Sequence, residues 1–155
     1  MLALMFDMNK LWEQFIYVSL RKNKLPDITV TAQTSKFFWK PEIGNRSKMI
    51  PDIWIKYGEE SIILDTKWKN MNGYNPSPED LRQMYVYHEY YDAKKVALVY
   101  PGEMKNRSGR YIDPKTNIES TKECSIISLS VISFIKTWQI EINNKMTEWM
   151  ELEVE

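Results

Sequence analysis

Hydrophobic and polar positions change period several times along the chain, and each change marks an element. Met8, Leu11, Trp12, Phe15, Ile16 and Val18 recur on one helical arc behind Asp7, which is placed to cap the first turn. A helix is predicted from Asp7 to about Arg21. Leu25-Pro26-Asp27 ends it, since proline disfavours helical backbone in the residue before it. A β-rich stretch follows from Ile28 to Trp39, then a loop at Gly44-Asn45-Arg46-Ser47. Two apolar runs come next, Met49-Ile50-Pro51-Asp52-Ile53-Trp54-Ile55 and Ile62-Ile63-Leu64-Asp65-Thr66-Lys67-Trp68. They read as a hairpin around Tyr57-Gly58-Glu59-Glu60.

Asn72-Gly73-Tyr74-Asn75-Pro76 reads as a loop, and Ser77-Pro78-Glu79-Asp80 as a helix start. Ser77 stands at the N-cap, Pro78 at the first helical position and Asp80 where a capping box needs an acceptor. That helix should reach Tyr91. Lys95 to Tyr100 is a short apolar strand closed by Pro101-Gly102. Gly109 to Thr121 is a polar excursion suggesting a hairpin arm, ahead of a strand from Cys124 to Leu129. Val131, Ile135, Trp138, Ile142, Met146 and Trp149 then return at helical spacing as a C-terminal amphipathic helix. This order predicts an α/β fold, a mixed central sheet flanked by helices. At 155 residues the chain is expected to be one domain, 1–155.

Composition narrows the class. High aromatic content with an ordinary charged fraction argues for a globular chain. No run of about twenty apolar residues occurs, and Met1 to Phe6 is too short and lacks the basic flank of a signal peptide. A soluble, cytoplasmic protein without membrane contact is therefore expected. Cys124 is the lone cysteine and His88 the lone histidine, which excludes an internal disulfide and a Cys/His zinc site. Zero net charge weighs against a simple nucleic-acid binder. Its distribution softens that objection. Five glutamates against Lys145 alone in residues 141–155 leave +4 on the remaining 140 residues. Lys36, Lys40, Arg46 and Lys48 form one basic cluster, and Lys105, Arg107, Arg110 and Lys115 a second. Each could follow phosphates or simply be solvated surface.

The two apolar runs also carry the chemistry. Side chains alternate along a strand, so Asp65 and Lys67 share one face while Thr66 turns to the other. A hairpin would bring Asp52 toward Asp65, building a site of two acids and one lysine that could hold a divalent cation and orient a water molecule. The plainer alternative is a pair of strand-end acids in salt bridges with Lys56 and Lys67. Glu13 lies at the margin of its helix's apolar arc, beside Ile16 and Leu20. Gln83 and Tyr87, four apart, share a helix face; His88 is about 100° further round and is assigned no role. No helix-turn-helix, zinc finger, Gly-x-Ser-x-Gly or phosphate-binding glycine loop is present.

Pro51-Asp52, twelve intervening residues and Asp65-Thr66-Lys67 at the end of an apolar strand resemble the PD-(D/E)xK nuclease core. Glu13 sits where many members of that superfamily keep an additional acid, and Gln83 with Tyr87 matches the Gln-x-x-x-Tyr pattern of its RecB-like branch. Four segments in order are similar to the nuclease domain of the McrC family, the cleaving subunit of the 5-methylcytosine-specific McrBC restriction system. They are Asp7-Met8-Asn9-Lys10-Leu11-Trp12-Glu13-Gln14-Phe15, Pro51-Asp52-Ile53, Leu64-Asp65-Thr66-Lys67-Trp68-Lys69 and Asp80-Leu81-Arg82-Gln83-Met84-Tyr85-Val86-Tyr87.

The likeness spans about residues 5–100, the expected core, with the polar excursion, strand and C-terminal helix in 101–155. It implies a restriction-endonuclease-like fold and metal-dependent DNA endonuclease activity. Asp52, Asp65 and the Thr66 backbone carbonyl would ligate Mg²⁺ or Mn²⁺. Glu13 would bind a second metal or orient the first one's water. Lys67 would position or help deprotonate the attacking water and stabilise charge on the phosphate. Gln83 and Tyr87 would line the cleft and contact DNA or the lysine, and the products would carry a 3′-hydroxyl and a 5′-phosphate. Members of the family carry a region ahead of the first helix that docks on the McrB GTPase, an AAA+ protein. With no such region here, the expectation is an excised nuclease domain, a stand-alone relative or a remnant. Paired cuts in duplex DNA would call for two sites, hence a homodimer. The alternative function is a catalytically inactive nuclease-fold module for DNA binding or assembly.

Overall fold

Runs in which every residue is apolar belong at the centre of a sheet covered on both faces, and that is where they lie. A computed structural model describes residues 7–22, 24–71, 75–130 and 135–151. The elements in chain order are α1 (Met8–Lys22), β1 (Ile28–Ala32), β2 (Lys36–Trp39), β3 (Ser47–Met49), β4 (Ile53–Tyr57) and β5 (Glu60–Thr66). They continue with α2 (Pro78–Tyr90), β6 (Lys95–Pro101), β7 (Lys105–Ile112), β8 (Glu119–Leu129) and α3 (Ile135–Glu151). Six strands form one mixed sheet in the order β1-β4-β5-β6-β8-β7, while β2 and β3 pair separately. β5, β6 and β8 run parallel; the other pairings are antiparallel.

Alternation sorts the two faces. On one, Ile53 and Ile55 of β4, Ile62 and Leu64 of β5, Ala97 and Val99 of β6 and Ile127 and Leu129 of β8 pack against α1 and α3. On the other, Ile63, Val96, Leu98, Tyr100 and Ile126 pack against Met84, Tyr87 and Tyr91 of α2 and its C-cap. Each fully buried Ile or Leu contributes on the order of 2 kcal/mol relative to solvent. Asp65 follows Ile63 onto the α2 face, so the alternation that builds the core also aims the carboxylate. Among the described residues no helix is long and apolar enough to cross a membrane.

Several sequence expectations shift. The α1 arc turns: Trp12, Ile16, Ser19 and Leu20 are buried while Leu11 and Val18 are exposed, because Ser19 returns its hydroxyl to the Phe15 carbonyl at 2.7 Å and tolerates burial. The β-rich stretch at Ile28–Trp39 divides at Gln33, whose φ of 53° lies in the left-handed region and whose N–H donates to the Asp52 carbonyl. Only its first half joins the main sheet. The polar excursion is a hairpin arm, longer than its sequence suggests: β7 starts at Lys105 and β8 at Glu119, with Asp113 capping the connecting turn. Residues Lys105 to Arg110 are exposed throughout, so no apolar alternation announces the strand. In the predicted Asn72–Pro76 loop, residues 72–74 lie outside the described residues, as do Val131 and the side chains of Ile135 and Trp138. Ile142, Met146 and Trp149 are buried as the helical pattern requires.

Candidate active site

The β4–β5 register pairs Ile53 with Leu64, so Asp52 and Asp65 meet just beyond the end of the ladder. Pro51 precedes this point and Asp52 is free of strand pairing, which lets its side chain turn along the sheet end. Its Oδ2 accepts the Thr66 backbone N–H at 2.7 Å and the Thr66 hydroxyl at 2.8 Å. Thr66 therefore does more than pack on the far face: its hydroxyl fixes the first aspartate. No ion pair joins Asp52 to Lys56, whose ammonium instead lies 4.2 Å from the Trp54 ring centroid.

Asp65 is 3 % exposed. Its Oδ2 lies 2.8 Å from Lys67 Nζ, yet that enclosed oxygen has no donor aligned on it. Burial, then the neighbouring Asp52 charge, push the Asp65 carboxyl up to about 7, against the opposing pull of Lys67. The Asp52 carboxyl is raised as well, by burial, with the Thr66 bonds resisting. Two carboxylates that each resist ionisation alone are a place where a cation lowers the free energy.

Lys67 is held by more than its strand neighbour. Its Nζ sits 3.4 Å from Asp80 Oδ1 and 3.4 Å from Gln83 Oε1. Burial draws its pKa down, but Asp65 and Asp80 more than offset this, and the net shift is upward. The surrounding carboxylates thus favour the ammonium form of the lysine. The sequence pattern marks Asp80 as a capping residue. Its backbone N–H does donate to Ser77 Oγ at 3.1 Å, but its carboxylate turns to Lys67 and, at 3.5 Å, to Lys69. Its position three residues before Gln83, one helical turn, was the signal that could have found it.

Gln83 Nε2 donates to the Tyr87 hydroxyl at 2.9 Å, and that hydroxyl donates to the Ile50 carbonyl at 3.3 Å. Tyr87 is 2 % exposed. Its hydroxyl bonds the site through Gln83, orienting the amide whose oxygen meets Lys67. Glu13 faces the same end of the sheet but accepts from Gln33 Nε2 at 2.6 Å. Burial raises its pKa, Gln33 lowers it, and the Asp52 charge adds to the rise, so the two acids sense one another. Among the described residues no three Asp, Glu, His or Cys side chains converge as a metal cage. Two carboxylates with open positions nevertheless suit Mg²⁺, which takes oxygen ligands and keeps several waters.

Two residues of the first helix, absent from the sequence candidates, tie it to this end of the sheet. Trp12 Nε1 and the Lys67 N–H both donate to the Val99 carbonyl, at 3.1 and 2.9 Å, and Asn9 Oδ1 accepts the Trp68 N–H at 3.3 Å. The strand exit carrying Lys67 is pinned from both sides. An apolar cavity of about 390 Å³ lined by Leu25, Ile28, Tyr57, Ile62 and Met150 lies at the turn end of the β4–β5 hairpin, opposite the acids. The second basic cluster lies on and beyond β7 at the far edge of the sheet, where Lys105 pairs with Glu103 and Arg110 with Glu123.

Residues 1–101 match the family described as McrBC 5-methylcytosine restriction system component. Among solved structures, the chain is similar to one in a refined half-complex from the tetradecameric assembly of Thermococcus gammatolerans McrB AAA+ hexamers with bound McrC. That likeness has 22% identity and a TM-score of 0.62, covering 89% of this chain and 33% of the other. The chain thus spans about a third of that relative's length. The crystal structure of SSO0001 aligns at 15% identity and a TM-score of 0.47, over 94% of this chain and 59% of that one. No curated protein matches.

Proposed function

The chain belongs to the McrBC 5-methylcytosine restriction system component family, and from that premise we propose that it is a McrC-like, Mg²⁺- or Mn²⁺-dependent DNA endonuclease. The observation that carries this reading is the meeting of Asp52 and Asp65 at one strand end with Lys67 clamped between Asp65 and Asp80. Asp52 and Asp65 would hold the metal, with the Thr66 carbonyl as a further ligand. When bound, the metal would screen the phosphodiester's negative charge and acidify water.

The chain's own groups supply the rest. Thr66 orients Asp52 through two hydrogen bonds. Lys67, kept cationic by two carboxylates, offers its ammonium to charge that develops on the scissile phosphate. Gln83 limits where that ammonium can swing, and Tyr87 fixes the amide. Glu13 lends a third carboxylate at the margin. The likeness to McrC bound to McrB AAA+ hexamers supports a McrB-like AAA+ partner for this chain as well. A nuclease-fold module without catalysis is the second reading, favoured by the ammonium lying on the inner oxygen of Asp65.

Supercoiled plasmid incubated with the purified chain and Mg²⁺ or Mn²⁺, with and without a McrB-like protein and GTP, separates the two. Nicking or linearisation by the parent, abolished by chelator and by Asp65→Asn, is expected. Equal cleavage by Asp65→Asn would remove the site, and silence of the parent under every condition would favour the inactive module.

A further inference from the structure

Between β1 and β4 the chain leaves the main sheet as a two-stranded ribbon, β2 and β3, rooted on the end of α2. The Tyr91 hydroxyl donates to the Thr34 carbonyl at 2.6 Å, and Lys36 Nζ donates to the Tyr90 carbonyl at 2.8 Å. The returning strand passes Ile50, whose carbonyl accepts from Tyr87, and reaches Asp52 three residues after Met49. The ribbon is therefore joined to the acidic site directly through the chain and indirectly through Tyr91, whose ring meets edge-on that of Tyr87, the partner of Gln83.

Its outer part carries side chains that a solvated hairpin does not need. Phe37, Phe38 and Trp39 are 53%, 48% and 58% exposed, and Ile43 at the tip is 93% exposed. Exposed aromatic and aliphatic side chains concentrated on one short ribbon in this way mark an interaction site. Cations surround it. Residues 36–49 carry Lys36, Lys40, Arg46 and Lys48 against Glu42 alone, a net +3 on a chain of zero net charge. Lys48 stands across from Phe37 in the ladder, and the Arg46 guanidinium lies 3.9 Å over the Phe37 ring. No carboxylate ion-pairs with Lys40, Arg46 or Lys48 among the described residues. An apolar protein partner would not call for that concentration of one sign; a polyanion whose major groove also presents apolar base edges would.

We propose that the β2–β3 ribbon is a DNA-gripping arm that lies in the major groove beside the scissile phosphate, with Lys40, Arg46 and Lys48 on phosphates and Phe38 and Trp39 against base edges. The proposal rests on the endonuclease reading above and adds the surface that would hold the duplex. A two-stranded ribbon fits the width of the major groove. Four residues of β2 extend about 13 Å, roughly four base-pair steps along the helix axis, and Lys48 on the returning strand precedes Asp52 by four residues.

Binding of a labelled duplex by the parent chain is measured by fluorescence anisotropy across a salt series, with Ca²⁺ in place of Mg²⁺ so that binding is read without cleavage. Lys40→Ala/Arg46→Ala/Lys48→Ala should flatten the slope of log K against log salt by about three units. Phe38→Ala/Trp39→Ala, which removes apolar surface buried against base edges, should weaken binding about tenfold with the slope retained. Circular dichroism melting and Mn²⁺ binding, both read on every variant, should match the parent. Parent-like affinity and slope in both variants would overturn the arm while leaving the nuclease reading intact. A parent without DNA affinity would overturn it too, and Mn²⁺ binding would then show whether the metal site survives. A parental dimer dissolved by Phe38→Ala/Trp39→Ala with DNA binding unchanged would reassign the patch to self-association.

Discussion

Asp65→Asn should stabilise the metal-free chain, increasingly so as pH rises. The Asp65 carboxyl lies at about 7 in the folded chain against 3.8 when solvated, because burial and Asp52 oppose its charge. A folded-state pKa raised in this way favours folding below about pH 4 and loses that contribution as pH climbs through 7. A displacement of about three units corresponds to about 4 kcal/mol across that window. The side chain is nearly inaccessible, so solvent screening reduces this little. Asparagine does not titrate, so the variant escapes the loss. Removing the partner of Lys67 offsets part of the gain, though Asp80 remains in reach at 3.4 Å.

Urea unfolding in chelator from pH 4 to pH 8 should show the stability difference, variant minus parent, growing by 2–4 kcal/mol between about pH 4 and 7 and then levelling. Saturating Mn²⁺ at pH 8 should stabilise the parent by about 3 kcal/mol at a hundredfold excess over Kd, and the variant hardly at all. A difference that stays flat with pH, or shrinks through that window, would refute the assignment of Asp65 as a buried carboxylate awaiting a cation.

Asp80→Asn removes one of two anions holding Lys67 charged, so the alkaline limb of a cleavage pH profile should move to lower pH while Mn²⁺ affinity stays near parental. An unmoved limb would detach Asp80 from the lysine. Tyr87→Phe leaves the Ile50 carbonyl and the Gln83 amide without the hydroxyl; chemical denaturation should register a loss of about 1–2 kcal/mol. Cleavage should fall less in Tyr87→Phe than in Gln83→Ala, since only the glutamine touches Lys67. Leu64→Ala opens the wholly buried face opposite Asp65 and should cost about 2–5 kcal/mol, read as a lower urea midpoint.

The central strands were legible because a buried strand of alternating exits leaves a strict pattern. Ile62, Ile63 and Leu64 announce a sheet covered on both sides, and the alternation that follows puts Asp65 and Lys67 on one face, 2.8 Å apart. Asp52 was placed by the short turn, and Gly58, at φ 57°, makes that turn possible. What the pattern concealed lies where tertiary contacts override it. Phe37-Phe38-Trp39 has the composition of a core strand but stands exposed on a separate ribbon, because Gln33 turns the backbone out of the sheet. Asp80 fits a capping pattern through its backbone N–H, and the partner of its carboxylate, thirteen residues earlier, is marked only by the one-turn spacing to Gln83. Thr66 keeps to the face opposite Asp65, paired with Val99, but Asp52 lies beyond the β4–β5 ladder and reaches round the sheet end to its N–H and hydroxyl, a contact that periodicity along one strand does not show.

Whether Asp52 and Asp65 jointly hold a cation is read most directly by titrating the purified chain with Mn²⁺ near neutral pH and following the free ion by electron paramagnetic resonance. One saturable site in the parent, lost in both Asp52→Asn and Asp65→Asn while circular dichroism shows each variant folded, is the expected result. Parental binding retained by both variants, or no saturable binding by the parent, would contradict it.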